Sequence, residues 1–247
     1  MQDPGRHTPS TVWSASFGLM IGLAACFAMQ ELVVVHLEKP YHVYLALSDY
    51  GMKSWHLWEL FTYQFFHSFE STASGLIHLL LNLLGLWFIG RAVEARLGIK
   101  RFLLVYLGSS FAGAVLQGAI ALAGYYLPDS AGAAGSFVRD RFGGPVAGSS
   151  AGLCGVLAAF CLMNDGMRIR LFYVVPIKGG QLLAVAFGLA GLLVIIPSDP
   201  SVAHLAHLGG LLTGMVLFKA GMGRDRGSGA RTAVSARSSS PDADKAA

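Results

Sequence analysis

Long apolar runs, separated by short charged or glycine-rich stretches, set the plan of this chain. Six of them approach or exceed the ~20 residues an α-helix needs to cross the hydrocarbon core of a bilayer. They predict spans over 13–35, 75–90, 102–127, 146–163, 180–196 and 202–218. Lipid offers the backbone no hydrogen bonds, so runs this apolar are expected to be helices. The connections differ in character. Residues 91–101 read as a charged turn, 128–145 as a Gly- and Ala-rich loop without a core of its own, and 164–170 as a polar turn. Residues 171–178 are expected near the interface, and 197–201 form a tight turn. The long connection over 36–74 carries Trp55, Trp58, Phe61 and Tyr63. That is too aromatic for a solvated linker, and it predicts a segment lying in the headgroup layer. Residues 1–12 and 219–247 are polar and are expected to be disordered tails.

Composition sharpens the picture. The chain is 54% hydrophobic and 13% charged. A typical soluble domain has about a quarter of its residues charged. A net charge of +4 follows from basic loops and does not call for nucleic acid. With the amino terminus in the cytoplasm, 14 of the 18 Lys and Arg fall on the cytoplasmic side, leaving Lys39, Lys53, Arg139 and Arg141 outside. The positive-inside rule thus places both termini in the cytoplasm. The first run is too long for a signal-peptide core and reads as a retained span. Cys26, Cys154 and Cys161 all lie in apolar segments, without metal-ligand spacing or a disulfide framework. Gln30 and Glu31, near the end of the first span, are expected at the interface, snorkelling outward.

The candidate chemistry centres on Gly148-Ser149-Ser150-Ala151-Gly152. Small residues at 148, 151 or 152, 155 and 158 or 159 give the fourth span one smooth face, which lets another helix approach closely. Gly210 and Gly214 make a matching face on the sixth span, beside His207. In the orientation above, Ser150, His207 and the pair His78 and Asn82 all lie in the outer half of their spans. A lone serine usually bonds the carbonyl one turn back, and a lone histidine is commonly a satisfied core residue. At matched depth, a neutral His207 can take the Ser150 proton and make it a nucleophile. His78 and Asn82 are four apart on one helix face and could donate to an oxyanion beside the Ser150 N–H. Helix-to-helix hydrogen bonding is the competing role for that pair. Neither the fourth nor the sixth span contains Asp or Glu, so the economical arrangement is a Ser-His dyad. Ser149 differs from Ser150 by ~100° of helical phase, so only one of them can face His207.

From about residue 59 to about 218 the chain resembles the rhomboid family of intramembrane serine proteases. His78-Leu-Leu-Leu-Asn82 is similar to the family's His-x-x-x-Asn. Gly90-x-x-x-Glu94-x-x-x-Gly98 resembles its next turn, and Ala206-His207-Leu-Gly-Gly210-Leu-Leu-Thr-Gly214 resembles the segment carrying its general base. Phe61-Thr-Tyr-x-Phe-x-His67 is similar to the end of its first loop. In the nucleophile motif Ala151 replaces the usual glycine, Cys154 stands where many relatives carry an aromatic residue, and Trp58 precedes Glu59 instead of arginine. The resemblance implies an all-α polytopic membrane protein, a six-transmembrane-helix bundle over 13–218. It implies Ser150 and His207, not His204, as catalytic residues, and His78 and Asn82 as oxyanion supports; His204, one turn nearer the surface, is expected at the interface. It implies transmembrane protein substrates in a lipid bilayer, with no metal, cofactor or nucleic acid. The compact form points to a bacterial plasma membrane. Two rivals are an inactive rhomboid-like protein that binds membrane clients and a transporter. The spans show neither an intramembrane carboxylate with a clear partner nor an inverted repeat to favour the latter.

Overall fold

A computed structural model describes residues 14–33, 44–67, 71–171, 175–196 and 202–222. Helix α1 spans Ala15–Glu31. Ser14 caps it, accepting from the Phe17 N–H. The buried Glu94 carboxylate also meets this end, accepting from the Ala15 N–H at 2.6 Å, the Ser16 N–H at 2.9 Å and the Ser16 hydroxyl at 2.5 Å. An anion there satisfies donors that have no partner inside the helix.

The aromatic connection is structured. It contains α2 (Asp49–Lys53) and α3 (Glu59–Thr62), the latter running into a 3-10 turn over Tyr63–Phe65. Helix α4 (Thr72–Gly85) continues through a π-turn at Leu86–Gly90 into α5 (Arg91–Leu97). The charged turn expected over 91–101 therefore shrinks to Gly98, whose φ of +78° ends the helix. The reason is local: Arg-Ala-Val-Glu-Ala-Arg-Leu is made of good helix formers apart from its single Val, and only Gly98 breaks it.

Helix α6 spans Ile99–Tyr126. The connection after it is not coreless, because α7 (Gly132–Phe142) buries Gly135 and Phe142. Helix α8 starts at Ser150 and ends at Met163. The residues before it, expected to be helical, lie outside the helix: Val146 bridges Leu47, and the Gly148 N–H donates to Tyr63 O at 3.0 Å. A two-stranded antiparallel hairpin follows, β1 (Arg168–Leu171) and β2 (Val175–Lys178), with Arg168 opposite Lys178 and Ile169 opposite Ile177. Helix α9 spans Gly179–Ile195 and α10 spans His204–Leu217, which runs on into a π-turn over Phe218–Met222. The expected tight turn at 197–201, the 1–12 tail and all but the first residues of the 219–247 tail lie outside the described residues.

Among the described residues two helices, Thr72–Leu97 and Ile99–Tyr126, are long and apolar enough to cross a membrane, and Ala15–Glu31, Ser150–Met163 and Gly179–Ile195 are shorter apolar helices. Their outward faces carry large exposed apolar side chains, among them Ile21, Leu81, Leu104 and Val185, a surface that water would not favour. Helices α6, α8 and α10 form the centre and meet through glycines. A Cβ on Gly210 would strike the Ala151 backbone, one on Gly214 the Gly155 backbone, and one on Gly113 the Ala206 carbonyl. Helix α9 packs on α8 and α10 through Leu182, Leu183 and Ala190. Its C-terminal carbonyls are capped from α7, where Arg141 donates to Leu193 O and, at 2.8 Å, to Ile196 O.

The α8–α10 contact leaves no room for side chains. Gly214→Val should cost about 1–3 kcal/mol of stability, the usual range for overpacking, read as a lower thermal midpoint in detergent. An unchanged midpoint would show that the two helices are not in backbone contact there.

Candidate active site

Ser150 is the first residue of α8, and its conformation is set from outside that helix. Gly148, at φ +138°, occupies a region side chains rarely adopt. Its N–H is held by Tyr63 O, and the buried Tyr63 hydroxyl donates to Ser110 O at 2.8 Å on α6. The first connection is thus bolted to α6 and fixes the turn that presents the serine. Its own fold rests on the buried Glu59 carboxylate, which accepts from the Ser48 N–H at 3.1 Å and contacts His56 Nδ1 at 3.2 Å. Burial pushes the Glu59 carboxyl up, while the bonds from Ser48 and His56 pull it back.

Ser150 Oγ lies 2.6 Å from His207 Nε2. Both residues are half-buried. His207 sits in the first turn of α10, where its N–H donates to Ala203 O. His204, expected at the interface, is buried instead, and its ring meets that of His207 edge-on at 5.8 Å. Ser149 is buried too, its hydroxyl toward Tyr106. The two adjacent serines therefore face different neighbours.

His78 comes from α4. A Cβ on Gly148 would lie 2.9 Å from His78 Nε2 and 3.5 Å from Ser150 Oγ, so the imidazole and the hydroxyl flank the same bare glycine. Asn82 is one turn further on and buried. Its Nδ2 donates to the His78 carbonyl at 2.8 Å, and its Oδ1 has no hydrogen-bond partner among the described residues. An amide nitrogen has a second hydrogen to offer. Among the described residues no cluster of three or more His, Cys, Asp or Glu could hold a metal ion.

Ala151 points away from this chemistry. It is buried, and a Cβ on Gly113 of α6 would lie 3.1 Å from its methyl group. The bare Gly113 leaves the space that the methyl occupies.

The link between two supporting residues, Gln30 and His67, escapes a reading of the sequence. Gln30, expected to snorkel outward, is 4% exposed. Its Nε2 donates to His67 O at 2.8 Å, and its Oε1 accepts from the His67 N–H at 3.0 Å. His67 is fully buried, and its ring stands edge-on to His78 at 5.2 Å and to Phe27 at 6.3 Å. Helix α1 thereby braces the ring beside His78. The sequence signals for this are His67 at the end of a family-like motif and a polar Gln at the end of an apolar run, and the Gln fits an interface residue equally well.

The fold and the site define a class: a helical membrane protein with a serine–histidine pair at one end of its bundle. The chain belongs to the rhomboid family, whose rhomboid domain matches residues 54–223. It is 24% identical over 202 residues to rhomboid protease GlpG of Klebsiella pneumoniae, covering 82% of this chain and 61% of that protein. It is 32% identical over 143 residues to Rhomboid protein 1, mitochondrial, of Saccharomyces cerevisiae, covering 56% of this chain and 36% of that one. It is 30% identical over 161 residues to RHOMBOID-like protein 1 of Arabidopsis thaliana, covering 65% and 33%. The matches thus span between 33% and 61% of these relatives' lengths.

Burial, and secondarily the charge of His78, depress the His67 pKa from 6.5 to about 3. Between those values the unfolded chain binds a proton that the folded one refuses. The stability His67 contributes is complete above pH 6.5 and is lost as pH falls toward 3. Thermal midpoints in detergent should therefore drop from pH 7.5 to pH 4.5, and less steeply in His67→Phe. Parallel profiles would contradict this account of His67.

Proposed function

We propose that the protein is an intramembrane serine endopeptidase that cleaves transmembrane segments of other membrane proteins. The observation that carries this reading is the 2.6 Å contact between Ser150 Oγ and His207 Nε2, at the end of an apolar bundle of the rhomboid family. A neutral imidazole at that distance can take the hydroxyl proton as Ser150 attacks a peptide carbonyl. His207 then returns the proton to the leaving amine, and a water activated by the same ring releases the acyl-enzyme. The negative oxygen of the tetrahedral intermediate needs preorganised donors. The Ser150 N–H is one, because the first N–H groups of a helix have no partner within it. The His78 ring beside Gly148 and the second Asn82 N–H are suited to complete the set. A substrate helix must unwind locally to offer its bond, so residues that weaken a helix are expected near the cut.

The same reading takes six crossings over 13–218, with both termini on the cytoplasmic side and polar tails over 1–12 and 219–247. Arg91, Arg96, Lys100, Arg101, Arg168 and Lys178 then gather at the cytoplasmic end, opposite Ser150. The setting is a plasma membrane of bacterial type, in keeping with the compact six-span form. An inactive, client-binding rhomboid gains little from Ala151, because the methyl group fits against Gly113.

Cleavage of a tagged single-span substrate in liposomes tests the assignment. Ser150→Ala and His207→Ala should each lower the rate by roughly a thousandfold or more, while Ser149→Ala keeps most of it. Activity that survives Ser150→Ala and is lost with Ser149→Ala would overturn it.

A further inference from the structure

At the end of the bundle opposite Ser150, the chain passes from α8 to α9 through the β1–β2 hairpin. Side chains along a strand alternate between faces. In the observed register Arg168 and Lys178 are direct cross-strand partners on one face, and Ile169 and Ile177 on the other. Ile177 packs against the cluster formed by α8, α9 and α10, which turns its face inward. Arg168 and Lys178 are exposed. Like charges directly opposite each other destabilise an antiparallel pair.

No carboxylate among the described residues forms an ion pair with Arg168 or Lys178. Glu59 is paired with His56 in the first connection. Glu94 is occupied at the start of α1. Asp165 stands at the start of α9, where a Cβ on Gly180 would lie 2.8 Å from its Oδ1, but it forms no ion pair with either cation. The surroundings add positive charge. Arg96 bonds Asn164 Oδ1 at 2.9 Å, tying α5 to the end of α8 beside the hairpin. The first residue of α9, Gly179, follows Lys178 directly, so the cationic face stands where the apolar surface of the bundle begins.

We infer that this face of the hairpin binds the anionic phospholipid headgroups of the adjacent leaflet. A phosphodiester between Arg168 and Lys178 converts a repulsive pair into two attractive ones, and the bilayer supplies such groups at this depth. The inference rests on the placement in a membrane and not on proteolysis, so its test reads no cleavage.

The full chain in a neutral detergent is titrated with phosphatidylglycerol while its thermal midpoint is followed. The midpoint of the unaltered protein should rise. In the double variant Arg168→Gln, Lys178→Gln most of that rise should vanish, with the lipid bound roughly fivefold more weakly for each charge removed. Lys178→Glu should be more stable than the unaltered protein in neutral detergent and should also lose the rise. Lys53→Gln, at the other end of the bundle, should keep it. An equal rise in the double variant would overturn the inference. So would an equal loss in Lys53→Gln, or the same rise with inorganic phosphate, which would make the ligand a soluble anion.

Discussion

The contact on which the rest depends is the approach of α8 and α10 to backbone distance. Gly210 lies on the Ala151 backbone and Gly214 on that of Gly155. Any side chain at those positions would separate the helices by more than an ångström, and a hydrogen bond does not survive such a change. The Ser150–His207 contact is therefore a consequence of glycine on a helix face. Helix α6 adds the third side of the same junction, with Gly113 against the Ala206 carbonyl and Ser109 against Gly155. In a membrane, where apolar association has little hydrophobic drive, such close packing is what holds helices together.

A second layer of support comes from the first connection and from α1. Tyr63 joins that connection to α6 and also holds the Gly148 N–H, so one residue couples the loop to the turn before Ser150. Gln30 and His67 brace His78 from the other side. These contacts join polar groups that lie far apart in sequence. A group buried among apolar helices must find a partner or pay its desolvation, so such contacts resist disruption.

Much of this was legible in the residues. Apolar runs located α1, α4, α6, α8, α9 and α10, because the need for a lipid-compatible surface leaves a continuous pattern. The spacing of Ser150, Gly210 and Gly214 foretold a close helix pair, and the family motif, not depth, chose His207 over His204. The misses share a cause. Residues 91–97 carry the charge of a turn, yet their propensity is helical and they form α5. Helix α7 buries little besides Phe142 and Gly135, so its pattern is faint. The start of α8 at Ser150 is set by Gly148 and by a bridge to Leu47, a partner that local sequence cannot reveal. Polarity suggests the interface for Gln30 and His204, because it does not distinguish a residue facing headgroups from one bonded inside.

The most direct test of the central claim is chemical. The purified protein is treated with a fluorophosphonate probe, and the modified residue is mapped by peptide mass spectrometry. A serine activated by His207 should carry one adduct, at Ser150, and His207→Ala should abolish it. An adduct at Ser149, or one at Ser150 that persists in His207→Ala, would contradict the account.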